Sequence, residues 1–180
     1  MNCNRIKLFF LIALGCISWV PLQALTSDQL AQVQSQKRCE TVIFESYIDP
    51  ARTEAILLLG GQFDRYLTDD LYVGGTISGA FSGGVGGYGL AALSVGRLFF
   101  LTPDLCFDAR LNVGAAGGGG VQAGGGLMSQ LLFGLRFQPV RGVELKAQAG
   151  FIRFLTSGYQ PGSLSTGISF EFNHLFMGAS

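Results

Sequence analysis

Imidazole and thiol are nearly missing from this 180-residue chain. It has one histidine, His174, and four cysteines. Two of the cysteines, Cys3 and Cys16, fall in an N-terminal leader, which leaves Cys39 and Cys106. That is too few for a His/Cys metal cluster of the usual spacing, and no cofactor is expected. Charge is scarce as well: 12 Lys and Arg balance 12 Asp and Glu, together 13% of the chain. No block of like charge occurs, so the basic face that nucleic acid requires is excluded. Long helices are disfavoured by 27 glycines, each costing about 1 kcal/mol relative to alanine inside a helix.

What is present begins with the leader. Arg5 and Lys7 precede an uncharged run over 8–20, and Leu22-Gln23-Ala24 closes it on a small residue. This is the layout of a secretory signal over 1–24. A retained helical anchor would need about 20 apolar residues, more than this run supplies. Acylation at Cys16 is the other alternative, but Ala13 stands where such signals usually carry Leu. Removing Arg5 and Lys7 leaves 12 − 2 = 10 basic residues against 12 acidic ones, a charge of −2 on one domain's length of chain.

The clearest pattern lies at 105–115. Leu105, Phe107, Ala109, Leu111 and Val113 alternate with Cys106, Asp108, Arg110, Asn112 and Gly114. A period of two belongs to a β-strand. An apolar face opposite Asp and Arg suits a wall with lipid on one side and a packed polar lumen on the other. Similar segments recur at 55–67, 71–81, 88–101, 127–137, 143–155 and 164–172, and at 41–48 with Ile43 and Ser46 out of phase. Arg65 falls on the oily face of its strand, where a long side chain can snorkel.

Short turns at 68–70, 102–104 and 139–142 alternate with longer connections at 82–87, 117–126 and 157–162. Even strand number, short inner turns and longer outer loops characterise bacterial membrane barrels. The sequence therefore predicts an all-β, up-and-down antiparallel transmembrane β-barrel of eight strands over 41–176. A short polar periplasmic segment precedes it over 25–40. Two transmembrane helices over the charge-free stretches 71–96 and 111–135 are the competing architecture, and their glycines oppose it.

The last strand, Ser165-Thr166-Gly167-Ile168-Ser169-Phe170-Glu171-Phe172, resembles the C-terminal assembly signal of outer-membrane barrels, carried by Gly167, Phe170 and Phe172. Phe176 is an alternative terminal aromatic if the strand runs on. Over 41–172 the architecture is similar to the eight-stranded OmpA and OmpX type. That resemblance implies the outer membrane of a Gram-negative bacterium, with its lipid and the barrel assembly machinery as partners.

The face assigned to the lumen gathers Glu45, Asp64, Asp108, Arg110, Arg136, Glu144, Lys146 and Glu171. An eight-stranded barrel is just wide enough for side chains to fill, and charges there must be paired. These eight are expected to form a plugging ion network. Cys39 and Cys106 both fall near the inner end, where an oxidising compartment permits a disulfide and two unpaired thiols are equally compatible. Tyr47, Tyr88 and Phe151 at the outer ends, and Tyr66, Phe99 and Phe107 at the inner ends, are candidates for interfacial girdles. Residues 151–162 loosely resemble the stretch before the last strand of lipid A deacylase barrels. However, no His precedes a Ser there, and His174 is placed beyond the last strand at the opposite end. The expected function is non-enzymatic, structural or surface-interacting; the alternative is a narrow pore.

Overall fold

The computed structural model describes residues 33–49, 53–121, 123 and 126–177. The expected leader over 1–24 and residues 25–32 lie outside them. Eight antiparallel strands follow in chain order: β1 Val33–Ile48, β2 Ile56–Tyr66, β3 Leu71–Ser82, β4 Gly89–Phe100, β5 Leu105–Gly117, β6 Leu127–Val140, β7 Val143–Phe154 and β8 Gly162–Met177. Each pairs with its chain neighbour and the sheet closes into a barrel, so no strand keeps an open edge.

The first and last strands are longer than the sequence pattern predicts. β1 begins at Val33 rather than Thr41, so the stretch from Val33 to Glu40, expected as a polar segment before the barrel, is strand. Its alternation is intact: Thr41, Ile43, Glu45 and Tyr47 point in, while Val42, Phe44 and Ile48 are exposed. Ile43 broke the pattern only because an apolar residue fills a lumen position. β8 runs through His174 to Met177, past the expected end at Phe172. The expected 139–142 turn shrinks to Arg141-Gly142, because β6 continues to Val140 across a register shift between Phe137 and Val140. Pro139 sits in that irregularity, where its missing N–H costs no ladder bond. No helix occurs among the described residues.

Outward positions are overwhelmingly apolar. Leu93 is 78% exposed, and Ile77, Phe81, Phe133, Leu145, Ile168 and Phe170 share its surroundings. Such a continuous oily exterior on a closed barrel is the wall pattern of a transmembrane β-barrel. The girdle expectation is corrected for three residues: Tyr47, Tyr66 and Tyr88 are buried inside, whereas Phe99 and Phe151 remain outside. Tyr66 meets the Arg136 guanidinium there at 3.2 Å, and the rings of Tyr47 and Tyr88 pack edge to face with centroids 6.1 Å apart.

The short turns and the longer loops are each internally fixed. In the β2–β3 turn, the Thr68 hydroxyl donates to Asp70 at 2.7 Å and accepts from Leu71 N at 3.0 Å. Arg97 of β4 donates to the same carboxylate at 2.8 Å. Thr68, then Arg97, hold the Asp70 carboxyl below the usual carboxylate range.

At the other end, the β3–β4 and β5–β6 loops meet over the barrel mouth. Val85 and Ala123 are buried there, and the Tyr159 hydroxyl donates to Asp49 at 2.7 Å. Gly118 has φ +97°, and a Cβ on it would lie 2.3 Å from the Gly87 carbonyl oxygen. Backbone strain of about 1–3 kcal/mol is expected for a side chain in such a conformation. Gly118→Val should therefore part the two loops and admit protease at the loop end of the folded barrel. Unchanged cleavage of the folded variant would show that the loops do not depend on this contact.

Candidate functional site

Three layers fill the lumen. At the loop end, Tyr47, Ile56, Leu58, Tyr88, Leu90, Met128, Ile152 and Phe154 pack with Val85 and Ala123 into a hydrophobic plug. In the middle lies a polar and ionic core. At the short-turn end, Cys39, Tyr66, Tyr72, Leu98 and Cys106 form a smaller cluster, beside an ion pair between Lys37 and Glu171 at 2.9 Å.

The ionic core is built by strand alternation. Asp64 of β2, Asp108 and Arg110 of β5, Arg136 of β6, and Glu144 and Lys146 of β7 are all buried. Arg110 grips Asp64 with both terminal nitrogens, at 2.8 and 2.9 Å, and its Nε donates to Asn112 Oδ1 at 3.0 Å. Arg136 Nε donates to Asp108 at 2.7 Å and Nη1 to the Tyr66 hydroxyl at 3.2 Å. Looser pairings take Arg136 to Asp64 at 3.6 Å and to Glu144 at 3.5 Å. Asp108 also accepts from the Tyr72 hydroxyl at 2.7 Å and from Gln148 at 2.9 Å.

Tyr72 joins the short-turn cluster to this layer. Its ring lies beneath both guanidinium groups, 5.3 Å from Arg110 and 4.8 Å from Arg136. A planar aromatic face accepts cations in this way. Space for the ring comes from its register partner Gly96, where an added Cβ would fall 2.2 Å from the Tyr72 ring and hydroxyl.

The remaining predicted residues are spread around this centre. Lys146 stands opposite Arg136 in the β6–β7 register and reaches across the lumen to Gln62. Glu45 lies nearer the plug, accepting from Gln130 and from the Ser163 hydroxyl, the latter at 2.6 Å. Gln130 accepts in turn from Asn112 at 2.7 Å, which links Glu45 to Arg110. Glu171 is apart from the core, in the pair with Lys37. Gly167 sits at the β8–β1 seam, where a Cβ would meet the Val42 carbonyl oxygen at 2.8 Å; Phe170 and Phe172 face outward.

Sequence reasoning put Asn112 on the polar face but not in a bridge with Gln130, sent Tyr47, Tyr66 and Tyr88 to girdles, and did not assemble the apolar plug. The plug had a signal in the doubly apolar strand ends, such as Ile56-Leu57-Leu58-Leu59 and Phe151-Ile152, where both faces are oily.

The disulfide alternative is corrected. Cys39 and Cys106 are both buried free thiols, and Cys106 Sγ rests 3.8 Å from the Arg136 carbonyl oxygen. β1 and β5 are four strands apart in an eight-strand ring. Strands about 4.8 Å apart and tilted about 40° make that ring about 15 Å across, whereas a disulfide needs Cα atoms within about 7 Å.

Two outcomes follow from this geometry. Both thiols should alkylate in denaturant without prior reduction and resist alkylation in the folded barrel; a disulfide-linked species on a non-reducing gel would contradict the assignment. Arg110→Met should cost about 3–5 kcal/mol in urea unfolding, because it strands a buried carboxylate. The paired Arg110→Met, Asp64→Leu variant should recover most of that loss, and additive losses would mean the two side chains are not coupled.

No protein-family model matches the chain, and no curated protein resembles it in sequence. Solved structures do. The N-terminal β-barrel domain of Pseudomonas aeruginosa OprF superposes with a TM-score of 0.62 at 18% identity, covering 77% of this chain and 100% of that one. Neisserial surface protein A gives 0.51 at 14% identity over 76% and 97%. Ail, the attachment invasion locus protein of Yersinia pestis, solved with the heparin analogue sucrose octasulfate, gives 0.50 at 11% over 77% and 99%. With its closed ring of eight antiparallel strands, this chain has the fold of the small eight-stranded outer-membrane β-barrels.

Proposed function

We propose that the chain is a non-enzymatic outer-membrane protein of a Gram-negative bacterium, with a lumen closed by its own side chains and a structural or surface-interaction role. In this reading, 1–24 is removed on export. The barrel assembly machinery engages the β8 end carrying Gly167, Phe170 and Phe172, and membrane lipid covers the apolar wall. One observation carries the reading. From the plug under the loops to the Lys37–Glu171 pair, the lumen holds packed side chains, with Arg110 engaged by Asp64 and Arg136 by Asp108 at its centre.

The same observation weighs against a narrow pore. An ion crossing the core would have to displace the Arg110–Asp64 and Arg136–Asp108 contacts and then pass an apolar layer with no charge to receive it. Interaction with the exterior falls to the loops, whose mutual contacts build one compact surface at the barrel mouth.

Planar-bilayer recordings of the refolded protein test this. No discrete conductance steps are expected for the wild type, and none for Tyr47→Ala, which thins the plug but leaves the ionic core in place. Regular steps from the wild-type protein would replace this reading with the pore.

A further inference from the structure

Two side chains of opposite charge stand on the outer wall at adjacent strands. Glu40 of β1 is exposed between buried Cys39 and Thr41, and Arg65 of β2 is exposed between buried Asp64 and Tyr66. Among the described residues, neither side chain enters an ion pair or hydrogen bond. The charges around them are committed elsewhere. Arg38 has an interaction of its own, Asp64 is turned inward onto Arg110, and Asp70 holds Arg97. Asp69 is exposed in the β2–β3 turn, beyond the strand end.

Depth makes the carboxylate costly. Strands rising about 3.4 Å per residue at a tilt of about 40° put Glu40 about 20 Å below Ile48, the outward residue at the loop end of β1. The apolar band of such a barrel is about 25 Å tall, so Glu40 lies within it and Arg65, one outward step nearer the short turns, at its edge. The short glutamate stem reaches water less readily than the arginine stem does. A cation brought to that depth relieves the cost.

The surface around the two charges is uneven. Phe63 projects between Glu40 and Gly75, its register partners on the neighbouring strands. Beside it, a groove of about 540 Å³ runs over Gly61 and Gly79. On the other side of β1, Ile168 and Phe170 of β8 stand out from the wall.

We propose that this face docks a second copy of the chain about a two-fold axis along the membrane normal, so that Glu40 of each copy meets Arg65 of the other. The proposal rests on the membrane-barrel reading given above. An axis between β1 and β2 brings β1 of each copy to face β2 of the other, and the pairing is made twice. The same rotation sets β8 against β3, the projecting flank of one copy against the grooved flank of the other. Association inside a bilayer relies on such close packing and polar contact. A second copy makes each charge depend on the other, which a lipid headgroup does not.

For the test, protein carrying Thr156→Cys in the exposed β7–β8 connection is folded in detergent and labelled with donor or acceptor dye, while Cys39 and Cys106 are shielded. The two batches are mixed and reconstituted at low density into phosphatidylcholine vesicles, and the heat-dependent band shift checks that each variant is folded. Energy transfer should exceed that of randomly placed barrels. Glu40→Arg alone and Arg65→Glu alone should each weaken association by about tenfold or more. Mixing those two variants should restore it, because each supplies the charges the other lacks, and so should the double exchange in one chain. Arg153→Glu, at the loop end of β7, should leave transfer unchanged.

Transfer at the random level from folded wild type overturns the proposal alone, as does association that both single exchanges leave intact. Failure of the mixture and of the double exchange to restore transfer also overturns it, and would assign the two charges to lipid headgroups instead. A wild-type chain with no band shift overturns the membrane-barrel reading and the docking face together.

Discussion

A charge inside a closed eight-stranded barrel has no water to turn to, and this constraint organises the lumen. Asp64 and Asp108 are buried because strand alternation puts them there. Each is tolerable only because Arg110 or Arg136 arrives from another strand at hydrogen-bond distance. The arginines impose a condition in turn, since two guanidinium groups meeting over one ring need that ring flat and central. Tyr72 provides it, and Gly96 on the neighbouring strand provides the space. Ion pair, aromatic ring and glycine thus act as one unit, and removing any member exposes the cost of the others.

Why the plug lies on one side of this unit and the thiol cluster on the other follows from where polar side chains run out. Toward the loops, the last charge is Glu45, neutralised by no cation and held by Gln130 and Ser163. Above it the inward residues are aliphatic and aromatic. The loops then fold over them with buried Val85 and Ala123, as a soluble protein closes its core. The barrel therefore encloses a small globular interior inside a membrane wall.

The architecture was legible in the sequence because alternation survives wherever the two faces differ in polarity. Residues 105–115 gave β5 almost to its ends, and the paired signals of turn and loop gave the strand count. Legibility failed where both faces were apolar. Leu58, Met128 and Ile152 are inward residues that look like outward ones, and only the doubly apolar strand ends hinted at the plug they form; Ile43, inward but outside the plug, misled in the same way. The lumen position of the charged side chains could be read from parity, but their partners could not. Pairing runs across the barrel, from Arg110 on β5 to Asp64 on β2 and from Lys146 on β7 to Gln62 on β2, and no spacing along the chain encodes such distances. The tyrosines were misplaced because an aromatic near a strand end suits an interface as well as an interior.

The contact between the two glycine-bearing loops has a consequence for anything that meets the exposed mouth. Glycine tracts usually imply a floppy fringe that a visitor must freeze before it can be held. Here Gly118 lies against Gly87, Val85 is tucked beneath, and Tyr159 is tied to Asp49. The ordering entropy is spent when the chain folds, not when something binds. A molecule recognising this rim would meet a preset relief of backbone amides and carbonyls, and its selectivity would come from shape more than from charge.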